Sequence, residues 1–125
     1  MGAAGRPTPV GPYAPVVRAG AWVVCSGQLG LVDDAPAAGV AEQVRLALAN
    51  IERLLADKGA TLAHVVKTTV FLTDMADFAE MNTAYLAALG DHRPARSAVA
   101  VVALPRGARV EIEAWAHVPE ERPDR

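Results

Sequence analysis

A single cysteine, Cys25, excludes an internal disulfide and fits a reducing compartment or indifference to redox. Its setting, "WVVCSG", reads as a small buried core residue rather than a reactive thiol. The histidines His64, His92 and His117 stand alone, with no cysteine or second histidine at ligand spacing, which counts against a dedicated metal site. No apolar run reaches the length that spans a bilayer, and the opening "MGAAGRPTPVGP" has no apolar core of signal-peptide length, so cytoplasmic residence is expected. Net charge is also small. A net charge of −2, with Lys67 and the arginines scattered, leaves no electrostatic footprint for a phosphate backbone, and nucleic-acid binding is not expected. "SGQLG" lacks the lysine and spacing of a phosphate loop, and Ser26, His64 and Asp74 supply the residue types of a hydrolytic triad without a spacing that unites them.

What the chain does have is small and branched apolar side chains. Of its 125 residues, 52% are hydrophobic but only 5% aromatic, which suits one closely packed domain large enough to need no staple. The core is expected over about residues 11–118, with loose Pro-, Gly- or charge-rich termini at 1–10 and 119–125. "APVVRAGAWVVCSGQ" reads as two short strands turning at Ala19-Gly20, followed by a polar loop, "LGLVDDAPAAG". Val40, Val44, Leu48, Ile51 and Leu54 then mark one face of an amphipathic helix stopped by Gly59.

"HVVKTTVFLT" is a third strand, rich in β-branched residues. Thr73 or Asp74 caps a second helix from Met75 to about Leu89, whose apolar stripe is Phe78, Met81, Tyr85 and Leu89. Two last strands, Ser97–Leu104 and Arg109–Val118, are joined by a "PRGA" turn, and pairing as a hairpin would put Arg96 and Glu111 at its open end. The order strand-strand-helix-strand-helix-strand-strand makes an α+β fold: one mixed sheet with both helices on one face. The run Ala98–Leu104 is apolar on both faces, which two helices cannot cover. The bare side is therefore expected to pack against other copies of the chain in a closed oligomer.

Arg96, just before that run, is a permanent cation that calls for an anion when partly buried. The partner is either a protein carboxylate such as Glu111 or the carboxylate of a ligand, with Glu111 then free to handle water or a proton. Tyr13 sits in the Pro-flanked "GPYAP", and Ser26 and Gly27 lie at a strand end where hydroxyl and amide can face a pocket. Asn82, on the inner side of the second helix, either braces a loop or touches a ligand.

In their order, "GPYAP", "CSGQLG", "VVKTTVFLTDMADFAEMNTAY" and "PARSAVAVVALPRGARVEIEAWA" resemble the YjgF/RidA family, also described as the liver perchloric-acid-soluble protein family, from about Gly11 to His117. The resemblance implies a chorismate-mutase-like fold and a barrel-like homotrimer with sites between subunits. It further implies, without a cofactor, hydrolysis of reactive 2-imino acids of the 2-iminopropanoate and 2-iminobutanoate type to 2-oxo acids and ammonia. Carried over by motif, Arg96 would bind the substrate carboxylate and Glu111 would position or activate water. Tyr13, Ser26 and Asn82 would line the pocket, with backbone contacts at Gly27 and Ala98. The chain departs from the family pattern at Ala98, where many members carry Cys, at Gly30, where Pro is common, and in shortened loops before the first helix and before "PARS". The family has also been described as endoribonucleases and translation inhibitors, and a non-catalytic binder of small carboxylates would keep Arg96 without needing Glu111.

Overall fold

The computed structural model describes residues 11–119, so the expected loose ends, 1–10 and all but the first residue of 119–125, lie outside the described residues. The elements are β1 (Val16–Ala19), β2 (Trp22–Leu29), β3 (Leu31–Val32), β4 (Ala35–Pro36), α1 (Val40–Asp57), β5 (Val65–Leu72), α2 (Phe78–Leu89), β6 (Ala95–Ala100) and β7 (Val110–His117). The main sheet has the order β1-β2-β7-β5-β6. β7 runs antiparallel to both its neighbours, so β2 and β5 are parallel, and β6 is parallel to β5. Each helix thus crosses between parallel strands, and the two pack side by side on one face, as the element order requires.

The helical stripes read from the sequence are the buried ones, except that Phe78, at the start of α2, is exposed. Val40, Val44, Leu48, Ile51 and Leu54 of α1, with Met81, Tyr85 and Leu89 of α2, pack on Val23, Cys25, Val65, Val70, Leu72, Val110, Ile112, Ala114 and Ala116 of the sheet. α1 ends at Asp57 with Gly59 in the left-handed region, and Arg18 Nη1 donates to the Lys58 carbonyl across 2.6 Å, satisfying one of the helix's orphan acceptors. The second helix begins later than expected. Asp74 accepts from the Ala76 amide at 2.9 Å, but it caps a 3-10 turn, Met75–Asp77, and α2 proper starts at Phe78.

Three expectations are corrected. The segment "LGLVDDAPAAG" contains a small hairpin, β3 with β4, turning on Asp33 and Asp34 at φ 52° and 67°, the signature of a type I′ turn that short polar side chains tolerate. The last two strands do not form a hairpin: β7 inserts between β2 and β5, and β6 lies on the far side of β5 at the sheet edge. β6 also ends at Ala100 rather than Leu104. After the Val101 amide bonds to the Leu72 carbonyl the chain leaves the sheet, and Val102 is fully exposed. The apolar run is therefore part strand and part irregular connection.

Among the described residues nothing covers the face of the sheet opposite the helices. Register places Val17, Trp22, Val24, Phe71, Val99 and Trp115 there together with Lys67, Thr69, Ser97, Glu111, Glu113 and His117. It is mixed rather than wholly apolar, with Trp22 edge-to-face against both Trp115 and His117.

Gln43, unremarked in the sequence, ties this frame together. Buried under α1, it donates to the Ala37 carbonyl at 2.8 Å and accepts from the Arg109 amide at 2.9 Å, joining the segment before α1 to the start of β7. α1 also runs so close to Gly30 that a Cβ there would lie 2.5 Å from Gln43 Cα and closer still to its carbonyl oxygen, so this position has no room for a side chain. Gln43→Leu strands a buried carbonyl and a part-buried amide, and is expected to cost about 2–3 kcal/mol. Urea unfolding at fixed protein concentration measures it, and a loss under about 0.5 kcal/mol would contradict this role.

Candidate functional site

Arg96 emerges from edge strand β6 beside Thr68 of β5, on the face covered by α2. Its Nη1 donates to Asn82 Oδ1 at 2.7 Å and lies 3.8 Å from Met81 Sδ. The guanidinium carbon is 4.9 Å from the Tyr85 ring centroid and 5.6 Å from that of Phe78. Two aromatic faces, a thioether and an amide oxygen thus surround the cation, and among the described residues no carboxylate pairs with it. Charge pairing in the chain goes elsewhere, as in Arg45 with Glu42 and Arg109 with Asp77. Ala98, two residues on and so on the same face, packs against the core.

Glu111 is held in a different place. β7 presents Val110, Ile112, Ala114 and Ala116 to the helices, so Glu111 points from the bare face. β2 carries a bulge between Cys25 and Gln28, where three steps on β2 match two on β7. Ser26 and Gly27 occupy that bulge rather than a strand end. The Glu111 carboxylate lies against Gly27 so closely that a Cβ there would meet Cδ at 2.7 Å and Oε2 at 2.8 Å. Burial raises the Glu111 pKa above the ordinary glutamate value, and the like charge of Glu113 adds to the rise. Ser26 turns its hydroxyl to the Ala14 carbonyl at 2.8 Å and its amide to the Pro15 carbonyl at 2.9 Å, fastening the loop that carries the half-exposed Tyr13 beside the bulge.

The predicted residues therefore fall into two groups. Arg96, Asn82 and Ala98 share the β6–α2 edge, whereas Tyr13, Ser26, Gly27 and Glu111 share the β2–β7 bulge. The expectation that one hairpin brings Arg96 and Glu111 together is corrected. Arg96 pairs with Thr68 and Glu111 with Phe71, with β5 between their strands. Three residues along the sheet and two strands across it separate their backbones by about 14 Å, and their side chains leave by opposite faces. A protein-internal ion pair between them is excluded within one chain.

Thr68 and Tyr85 were not singled out as site residues. Both are buried polar side chains at inward positions of apolar stripes, which is the signal that marks them, and their hydroxyls bond to each other at 2.6 Å. Cys25 has its pKa pushed up to about 12 by burial, so it supplies no thiolate at neutral pH. His64 accepts from the Thr61 amide, His92 contacts the Val65 carbonyl, and His117 packs on Trp22. Among the described residues no three His, Cys, Asp or Glu side chains are grouped as metal ligands, and no helix is long and apolar enough to cross a membrane.

The family model described as endoribonuclease L-PSP matches residues 3–118. The 2-iminobutanoate/2-iminopropanoate deaminase of Bos taurus is 43% identical, with 88% of this chain and 82% of that protein covered. Among solved structures, the YjgF gene product of E. coli superposes with a TM-score of 0.85 at 37% identity, covering 90% of this chain and 93% of that one. E. coli TdcF, solved with bound serine, gives 0.87 at 35% identity, covering 91% and 94%.

The raised Glu111 pKa makes a stability prediction with a definite sign. The folded state holds this proton more tightly than the unfolded state, so the group favours folding below the ordinary glutamate pKa. That contribution is lost as pH rises through the higher folded value. Glu111→Gln is expected to raise Tm at pH 8, with the gain vanishing by about pH 4. Thermal melts at the two pH values decide it, and an equal shift at both would contradict the assignment.

Proposed function

The chain belongs to the endoribonuclease L-PSP family, the YjgF/RidA family, and from that membership and the two half-sites we propose that it hydrolyses small 2-imino acids to 2-oxo acids and ammonia. The carrying observation is Arg96: a part-buried guanidinium, oriented by Asn82 and without a carboxylate partner among the described residues, leaves its Nε–Nη2 edge for a ligand carboxylate. The relatives agree with a ligand of this kind, since curated ones about 40% identical are named for 2-iminobutanoate and 2-iminopropanoate, and a structural neighbour bears serine, also a small α-carboxylate.

The other half of the chemistry belongs to Glu111. Water adds to the electrophilic iminium carbon; the new C–O bond forms as the C=N electron pair moves to nitrogen, and the water's proton passes to Glu111. Glu111 then returns that proton to the amine of the carbinolamine; the C–N bond breaks with its electron pair leaving on ammonia, and the hydroxyl passes its proton to Glu111 as the C=O bond forms. Ammonia takes that proton from Glu111 and leaves as ammonium. A carboxyl whose pKa is raised by burial and by Glu113 holds a proton more firmly than an ordinary glutamate, which helps it both take and return one. Orientation and one acid/base group suffice because the substrate is already activated.

Because the two halves leave one chain by opposite faces, the site is complete only when Arg96 of one copy meets Glu111 of another. A closed homotrimer does this, and it also covers the bare face bearing Trp22, Trp115 and Val99. RNA cleavage, which the family's name suggests, has no support in a chain of net charge −2 without a basic cluster.

The test generates 2-iminopropanoate in situ, traps it with semicarbazide, and asks whether sub-stoichiometric protein removes it before trapping. Arg96→Ala is expected to lower kcat/KM about 100-fold or more, two charge-assisted hydrogen bonds being lost. Wild type behaving like that variant would sink the deaminase reading, and RNA cleavage surviving repurification would favour the nuclease. Gly27→Ala is expected to displace the Glu111 carboxylate and cut kcat at least tenfold, with a stability cost below about 1 kcal/mol because the displaced group is a flexible side-chain end. Co-refolding Arg96→Ala with Glu111→Ala should restore about a quarter of the sites if they are shared between copies, and none if they are not.

A further inference from the structure

We propose that Tyr85, tied to Thr68, is the positioning residue that decides how Arg96 meets a carboxylate; the proposal rests on the reading of Arg96 as the substrate anchor. Thr68 is the cross-strand neighbour of Arg96 in the sheet, and Tyr85 comes down from α2 onto the same spot. Their 2.6 Å hydroxyl bond is buried, with Thr68 1% and Tyr85 3% exposed. This bond commits the buried phenol oxygen to Thr68, and among the described residues no hydrogen bond joins it to Arg96. What Arg96 meets is therefore the ring face, 4.9 Å from its central carbon, and not a polar tip that would compete for its donors.

The consequence is selective. Asn82 takes Nη1, Met81 Sδ backs the same nitrogen, and the Tyr85 and Phe78 rings flank the cation. The Nε–Nη2 edge carries no hydrogen bond among the described residues. A planar guanidinium fixed on one edge and against its faces presents the other edge in the side-on geometry that binds a carboxylate through two parallel bonds. A long side chain on an edge strand otherwise keeps its rotamer freedom until the ligand arrives, and that ordering weakens binding. Tyr85 removes the cost in advance. Its hydroxyl bond cannot contact substrate, since both oxygens are buried, so Tyr85 acts through Arg96 alone.

Two measurements on the full-length protein test this. In nitrogen-15 labelled protein the Arg96 Nε–H resonance, assigned by its loss in Arg96→Lys, is expected to be sharp in the wild type and broadened in Tyr85→Leu. Tyr85→Phe, which keeps the ring, restores it. Titration with 2-oxobutanoate is expected to show about 5- to 10-fold weaker binding for Tyr85→Leu and rescue to within about twofold for Tyr85→Phe. An Arg96 signal equally ordered in Tyr85→Leu, or an unchanged Kd, overturns the proposal. If Tyr85→Leu does not fold, Thr68→Val serves: the untied ring should weaken binding about threefold, and adding Tyr85→Phe should recover it, whereas wild-type affinity in Thr68→Val overturns the role. A wild type that binds no 2-oxobutanoate counts against the substrate reading, and the Arg96 resonance then decides the positioning role by itself.

Discussion

Strand β7 carries the strict alternation of the molecule, Val110, Ile112, Ala114 and Ala116 on one side and Glu111, Glu113, Trp115 and His117 on the other, and it lies in the middle of the sheet. Antiparallel to β2 and β5 at once, it satisfies its backbone on both edges, and its four small or branched side chains, none measurably exposed, form the floor on which the helices rest. The rest follows from that placement. A central β7 leaves β6 as an edge strand, makes β2 and β5 parallel so that α1 must cross over the sheet, and commits Glu111 to the face the helices do not cover. Gln43 reinforces the arrangement by bonding the backbone at the start of β7 to the segment before α1.

The electrostatic consequence is a chain with two unfinished half-sites. On the β6–α2 edge a cation is held by an amide, a thioether and aromatic faces, groups that orient it without neutralising it. At the β2–β7 bulge an acid is pressed against Gly27 and kept near a second carboxylate, which raises its affinity for a proton. Each leaves a partly buried charged group without an oppositely charged partner among the described residues. Under the function proposed above, a small anion with an electrophilic carbon bridges them. The mixed bare face that separates the halves offers the surface by which copies can meet.

Several features were legible because they are local. The α1 stripe, Met81, Tyr85 and Leu89 of the α2 stripe, and the β7 alternation follow from periods of 3.6 and 2 and are present, while the turn between β1 and β2 falls on Gly20-Ala21, one residue later than read. Arg96 and Glu111 stand out by residue type against apolar surroundings, and the motif resemblance joined them to Tyr13, Ser26, Gly27, Asn82 and Ala98. The β2 bulge escaped notice because a bulge is defined by the partner strand's register, not by its own residues. The Asp33-Asp34 hairpin escaped because two aspartates adopting positive φ are not the usual turn signal. Gln43 looked like any polar helix residue, since burial of its amide depends on Gly30 and Arg109, which lie outside the helix.

The sequence by itself determined both helices, the longer strands and the one-sided helical layer, and it marked Arg96 and Glu111 by residue type. Tertiary structure alone decided that β7 inserts between β2 and β5, and hence that Arg96 and Glu111 part company by opposite faces. Periodicity is written in neighbouring residues, whereas strand order is a competition among long-range pairings whose outcome depends on which face each strand can bury. The same division applies to Arg96. The sequence marks it as a cation in want of an anion; Asn82 and the Tyr85 ring, brought from α2 onto the β6 edge, leave its Nε–Nη2 edge open.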